Sequence, residues 1–151
     1  MLRTQLNDAL KEAMRARDMR RVQTLRLVNA AIKDGDIDAR GSGASEGLDD
    51  AAILQLLVKM IRQRRDSIVA YEAGARPDLV QQESEEIAII EAFLPRQMSD
   101  LEVEETVRAA MADLDITGPK DLGRLMAVLK ERHATTMNLG RASQIAKSLL
   151  G

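Results

Sequence analysis

Apolar residues recur along this chain at three- and four-residue intervals, and nowhere do they alternate strictly with polar ones. Leu2, Leu6, Leu10, Ala13 and Met14 fall along a first amphipathic helix. Asp18 is placed to cap a second, whose apolar positions are Val22, Leu25, Leu27, Val28, Ala31 and Ile32. The spacing breaks in G-D-I-D-A-R-G-S-G-A-S-E-G, so a mobile loop is expected from Gly35 to Gly47, contributing little to the core. Asp49 or Asp50 can cap the third and longest helix, with Ile53, Leu57, Met60, Ile61, Ile68 and Tyr71 along one face. Gly74 reads as its stop and Pro77 as the first turn of a fourth helix. Leu79, Ile87, Ile90 and Leu94 line that helix's buried face, which leaves Glu85 and most other glutamates elsewhere.

Pro95 ends the fourth helix, and Ser99 with Glu102 forms a capping box for a fifth reaching about Leu114. The turn D-I-T-G-P-K starts a sixth helix, Lys120 to about His133. Asn138 or Ser143 caps a seventh that ends at Leu150. The fold expected is all-α, in two helical modules hinged near Pro95 to Met98. One is an N-terminal domain of about four helices over residues 1–95, the other a small three-helix domain over residues 98–151.

Composition sharpens this. Hydrophobic residues make up 45% of the 151, yet there is one Tyr, one Phe and no Trp, so the core must be aliphatic. That mix suits helices better than a sandwich of sheets. With no cysteine, disulfides, thiolate metal sites and cysteine nucleophiles are excluded. The longest apolar run, Ala51 to Val58, is broken by Gln55 and is far shorter than a membrane span. A cytoplasmic protein is expected. A net charge of −2 means that any nucleic-acid contact must come from a local patch.

Two basic clusters stand out. Lys59, Arg62 and Arg65, at i, i+3 and i+6, share a helix face opposite the apolar one. Arg64 falls among the apolar positions, where it snorkels or pairs at a helix contact. Arg15, Arg17, Arg20, Arg21 and Arg26 gather around the first helix turn. Guanidinium forks suit phosphate, donating two parallel hydrogen bonds. The plainer reading has the fourth helix antiparallel to the third, its glutamates neutralising the 59–65 stripe as a solvated ion-pair surface. No aromatic residue stands near the stripe to stack on bases, so structured RNA held by its backbone fits better than a single strand.

Other motifs fail on required positions. Asp34, Asp36 and Asp38 mimic the opening of a calcium loop, but Ala39 stands where its glycine belongs and Ser45 where its bidentate glutamate belongs. G-S-G-A-S-E-G follows a helix and precedes no Gly-Lys-Ser/Thr, so it is a linker and not a phosphate cradle. His133, the sole histidine, has no nucleophile or metal partner and reads as a surface residue. Gly123 within D-L-G-R-L-M suggests close approach of a neighbouring helix, in preference to a ligand. No catalytic residue, cofactor or metal is expected.

K-M-I-R-Q-R-R-D-S at 59–67, R-P-D-L at 76–79, the glutamates before E-A-F-L-P-R-Q at 91–97 and D-L-G-R-L-M at 121–126 together resemble the GatB/YqeY family, over essentially the whole chain. The resemblance implies an all-helical fold whose C-terminal domain is similar to the tail of the B subunit of glutamyl/aspartyl-tRNA amidotransferase. Such proteins are commonly classed as carbon–nitrogen ligases with glutamine as amido-N-donor. By that resemblance the part shared with the amidotransferase is a tail that approaches tRNA, and this chain has neither a recognisable amidase signature nor an identifiable ATP site. Arg124 and Arg141 thus join Lys59, Arg62 and Arg65 as expected tRNA contacts. The family's Gly-Arg/Lys-x-Asp-Gly turn is matched at Gly140 and Arg141, but Ser143 and Gln144 replace its Asp and Gly.

The function implied is a non-catalytic accessory module binding tRNA or a tRNA-handling enzyme. The alternatives are a component that supports amide transfer only when assembled with catalytic subunits, and a protein–protein scaffold. Neither DNA nor a membrane is an expected partner.

Overall fold

The computed structural model describes residues 1–151 as seven α-helices with no strand, in two compact units, Met1–Leu94 and Pro95–Gly151. The first unit holds α1 (Leu2–Arg15), α2 (Met19–Gly41), α3 (Asp50–Ala73) and α4 (Pro77–Glu91). Its core is aliphatic: Leu6, Leu25, Val28, Ile53, Leu57 and Ile90 are fully buried. The most extensive helix pairing is α3 on α4. Asp18 caps α2 by accepting from Arg21 N, and Asp49 caps α3 by accepting from Ala52 N at 2.8 Å.

The glycine-rich segment departs from expectation, because α2 runs through Gly35 as far as Gly41. Glycine weakens a helix by about 1 kcal/mol against alanine, and tertiary contacts outweigh that here. A Cβ on Gly35 would stand 2.6 Å from Leu48 Cδ1, so the missing side chain lets Leu48 close on the helix and pack against the core. Asp36, expected in a loop, is buried. It accepts from Arg3 Nη1 at 2.9 Å and also from Arg3 Nη2, and takes the Leu48 backbone N–H at 2.8 Å. Arg3 donates further to Leu48 O at 2.8 Å. These bonds fasten α1, α2 and the approach to α3 together. The Arg3 guanidinium, followed by the Leu48 amide, holds the Asp36 carboxyl far below the usual carboxylate range.

Helix ends differ in detail. Gly74 caps α3 with φ −87°, and the left-handed residue is the next one, Ala75, at φ 53°. Helix α4 stops at Glu91, four residues before Pro95, and Phe93 and Leu94 close a tighter turn through bonds to Ile90 and Glu91. The residue before proline is driven out of helical geometry, so the last turn unwinds ahead of it. Glu86 is buried on α4, an exception to the expectation that most glutamates of this helix lie away from its buried face.

The second unit holds α5 (Asp100–Asp113), a short 3-10 turn (Pro119–Asp121), α6 (Leu122–His133) and α7 (Leu139–Leu150). Both halves of the Ser99–Glu102 capping box are formed. Val103, Val107, Leu125, Leu129, Ala142 and Ala146 make its core. Asn138 caps α7, so Ser143 lies inside that helix. The turn between α6 and α7 is pinned by Gln97 Nε2 on Thr135 O and Met98 N on Thr136 O, each at 2.8 Å. Gly123 is exposed in the first turn of α6, and a Cβ there would meet nothing within 4 Å. The close helix approach expected at this glycine is absent.

Candidate nucleic-acid interface

Helix α3 sorts its cations by direction. Arg64, on the apolar side, donates from Nε to Glu86 Oε2 at 3.1 Å and from Nη1 to Met60 O at 3.3 Å. The Arg64 and Glu86 side chains are only 13% and 8% exposed, so this pair belongs to the α3–α4 contact and is closed to a ligand. Burial, and then the neighbouring Glu86 charge, push the Glu83 carboxyl upward against the opposing pull of Arg64.

Lys59 and Arg62, by contrast, are exposed and make no ion pair within the unit. Arg65, on the same stripe, is half-buried and donates from Nη2 to Glu91 Oε1 at 3.0 Å. Arg20, in the other basic cluster, is taken by Glu85 at 3.1 Å. Helix α4 thus neutralises Arg20, Arg64 and Arg65 and leaves Lys59 and Arg62 free. Ion pairing with α4 accounts for one of the three stripe cations.

The two candidate arginines of the second unit are differently placed. Arg124, on α6, donates to Leu114 O, an unpaired carbonyl at the end of α5, at 2.9 Å and lies 3.9 Å from Asp121. Arg141, on α7, reaches Gln144 Oε1 at 3.3 Å and stands 3.7 Å from Asp100. It borders a shallow groove between α5 and α7 lined also by Leu101, Glu104, Ile145 and Leu149. Both arginines are exposed, each beside one carboxylate, and each unites two helices of its own unit. At the start of this unit Arg96 donates to both carboxylate oxygens of Glu102. That interaction, with the Ser99 amide, lowers Glu102 to about 2.

A sequence reading could have found the Glu86 pairing, because Glu86 is seven residues after Leu79 and four before Ile90, on the apolar face. The Asp36 lock gave no such signal, since Arg3 and Leu48 are remote in sequence and adjacent only in the fold.

Comparison with known proteins places this geometry in context. A family model described as Yqey-like protein matches residues 3–150. Among curated relatives, the protein named "Altered inheritance of mitochondria protein 41, mitochondrial" from Lachancea thermotolerans is 36% identical over 116 residues, covering 76% of this chain and 60% of the relative. The protein of that name from Kluyveromyces lactis is 35% identical over 117 residues, 76% of this chain and 60% of the relative. That from Saccharomyces cerevisiae strain YJM789 is 32% identical over 105 residues, 68% and 55% respectively. The chain therefore spans less than two thirds of the length of these relatives. Their names also correct the cytoplasmic expectation, since each is named as a mitochondrial protein.

Proposed function

The chain belongs to the YqeY-like family, and on that footing we propose that it is a non-catalytic accessory module that binds tRNA, or an enzyme handling tRNA, through the outer face of α3. The observation carrying this reading is the pair Lys59 and Arg62, exposed one turn apart with no carboxylate partner while α4 occupies the neighbouring arginines. Two unpaired cations at this spacing suit backbone phosphates, which reward charge without reading sequence. Arg65 contributes by exchanging Glu91 for phosphate, a surface pair worth little to stability. Arg124 and Arg141 supply further contacts from the second unit.

The test is filter retention of tRNA by the intact protein and by K59E/R62E. Support would be tight binding by the parent, with a log–log salt slope that falls by about 0.7–0.9 for each phosphate the variant no longer neutralises. Equal affinity of a folded variant and the parent rejects the reading. Glutamine-dependent amidation that appears only when the chain is added to catalytic subunits would instead favour a supporting role in a carbon–nitrogen ligase.

A further inference from the structure

Helix α2 carries large apolar side chains on two sides, and only one of them is used within the fold. Val22, Leu25, Val28 and Ile32 face the core. Met19, Leu27 and Ile37 point outward, 60%, 51% and 59% exposed, and are three of the seven large hydrophobic side chains left in solvent. At 100° per residue they share an arc of about 120° with Gln23, Arg26, Ala30 and Lys33, reaching about 27 Å along the helix. Arg26 and Lys33 are exposed and make no ion pair, and Asp34 is the single acid within the arc. Just before Met19 the chain turns through Arg17, exposed and held at φ 56° in the left-handed region that favours glycine.

We infer that this outward face of α2 is a docking surface for an anionic lipid bilayer. Crossing a membrane is a separate matter, for no helix is long and apolar enough to do so. Lying on one needs only apolar side chains interspersed with cations on one exposed face, which α2 presents while its opposite face stays in the core. Charge selects the partner: within the arc Arg26 and Lys33 outnumber Asp34, and anionic headgroups attract each basic residue. Phosphate of a nucleic acid would satisfy the cations but would leave Met19, Leu27 and Ile37 exposed, and none of these side chains stacks on a base. The acyl boundary accommodates both kinds of residue. The expectation that no membrane is a partner rested on the lack of a spanning segment, and surface contact is outside its reach.

The experiment is co-sedimentation of the full chain with vesicles of phosphatidylcholine mixed with phosphatidylglycerol, against phosphatidylcholine alone. Binding to the mixed vesicles only, weakened by salt, is expected. R26E/K33E should lower the partition about fivefold or more for each reversed charge. M19S/I37S should lower it by about tenfold at unchanged charge, with melting unaltered because both side chains are already exposed. Failure to sediment with mixed vesicles overturns the proposal, as does sedimentation indifferent to M19S/I37S. Vesicle binding that is nil while R26E/K33E abolishes tRNA retention assigns the face to RNA instead. A concentration-dependent dimer that M19S/I37S dissolves assigns it to a second copy.

Discussion

Arg64 and Glu86 form a hydrogen-bonded ion pair at 3.1 Å where α3 packs on α4, with little of either side chain in solvent. Removing one partner leaves the other charge buried and uncompensated. Arg64→Ala or Glu86→Ala should therefore cost about 3 kcal/mol in urea unfolding, whereas Lys59→Ala and Arg62→Ala should each stay within about 0.5 kcal/mol of the parent. Replacing both partners together by Met and Leu should recover most of the loss. Equal effects at positions 62 and 64 would show that these two cations do not point in different directions around α3.

Glycine exchanges should change stability in opposite directions at different positions. Gly123 is helical, and the space a Cβ would occupy there is open, so Gly123→Ala should stabilise by about 0.5–1 kcal/mol. Ala75 sits at φ 53°, so Ala75→Gly should also stabilise, by about 1 kcal/mol. Gly47 combines φ +83° with a Cβ position 2.5 Å from Asp36 Oδ1, so Gly47→Ala should destabilise by about 1–3 kcal/mol. Thermal melts of the three variants check all of these signs together.

The capping box carries its own pH dependence. Glu102 is lowered from 4.5 to about 2 by Arg96 and the Ser99 amide. A carboxyl whose folded value lies below its unfolded one contributes stability that is complete above about pH 4.5 and fades as pH falls toward 2. Glu102→Gln should therefore lower the stability of the Pro95–Gly151 unit at neutral pH. The difference from the parent should shrink across that acid window and not at higher pH. Melts of the full chain from pH 7 to 2 read this directly, and a gap that persists unchanged at pH 2 would refute it.

The Asp36 lock makes a local prediction. Asp36→Asn keeps the shape but loses the charge that holds Arg3, and one amide oxygen replaces two carboxylate acceptors. Amide hydrogen exchange should accelerate over residues 34–48 and at the start of α1, while α5 to α7 remain unchanged. Acceleration spread evenly over the chain would mean that the lock is not a local clasp.

Most of the helices are legible in the sequence because each buries one periodic face, and because Asp18, Asp49, Ser99 and Asn138 are strong caps placed where the periodicity begins. The glycine-rich stretch misleads for a physical reason. Local propensity counts Gly35 and Gly41 as breakers, but the interactions that extend α2 come from Arg3 and Leu48, which a local reading cannot place. The same limit applies to the basic stripe. Its helical face is readable, yet which cation Glu91 occupies depends on the packing of α4 on α3. The outward apolar positions of α2 are visible as letters, but Leu27 reads as core because Val28 stands beside it.

Fastening Leu48 to Asp36 and Arg3 has a practical corollary for handling the molecule. The exposed stretch from Ser42 to Glu46 leaves α2 and returns to it between two secured ends, so it behaves as a blister on the surface. A fluorophore, an affinity tag or a small inserted domain attached there would hang outside the bundle without prying α2 from α3. The clasp thus marks an attachment point where cargo can be grafted while the outward faces of α2 and α3 are left uncovered.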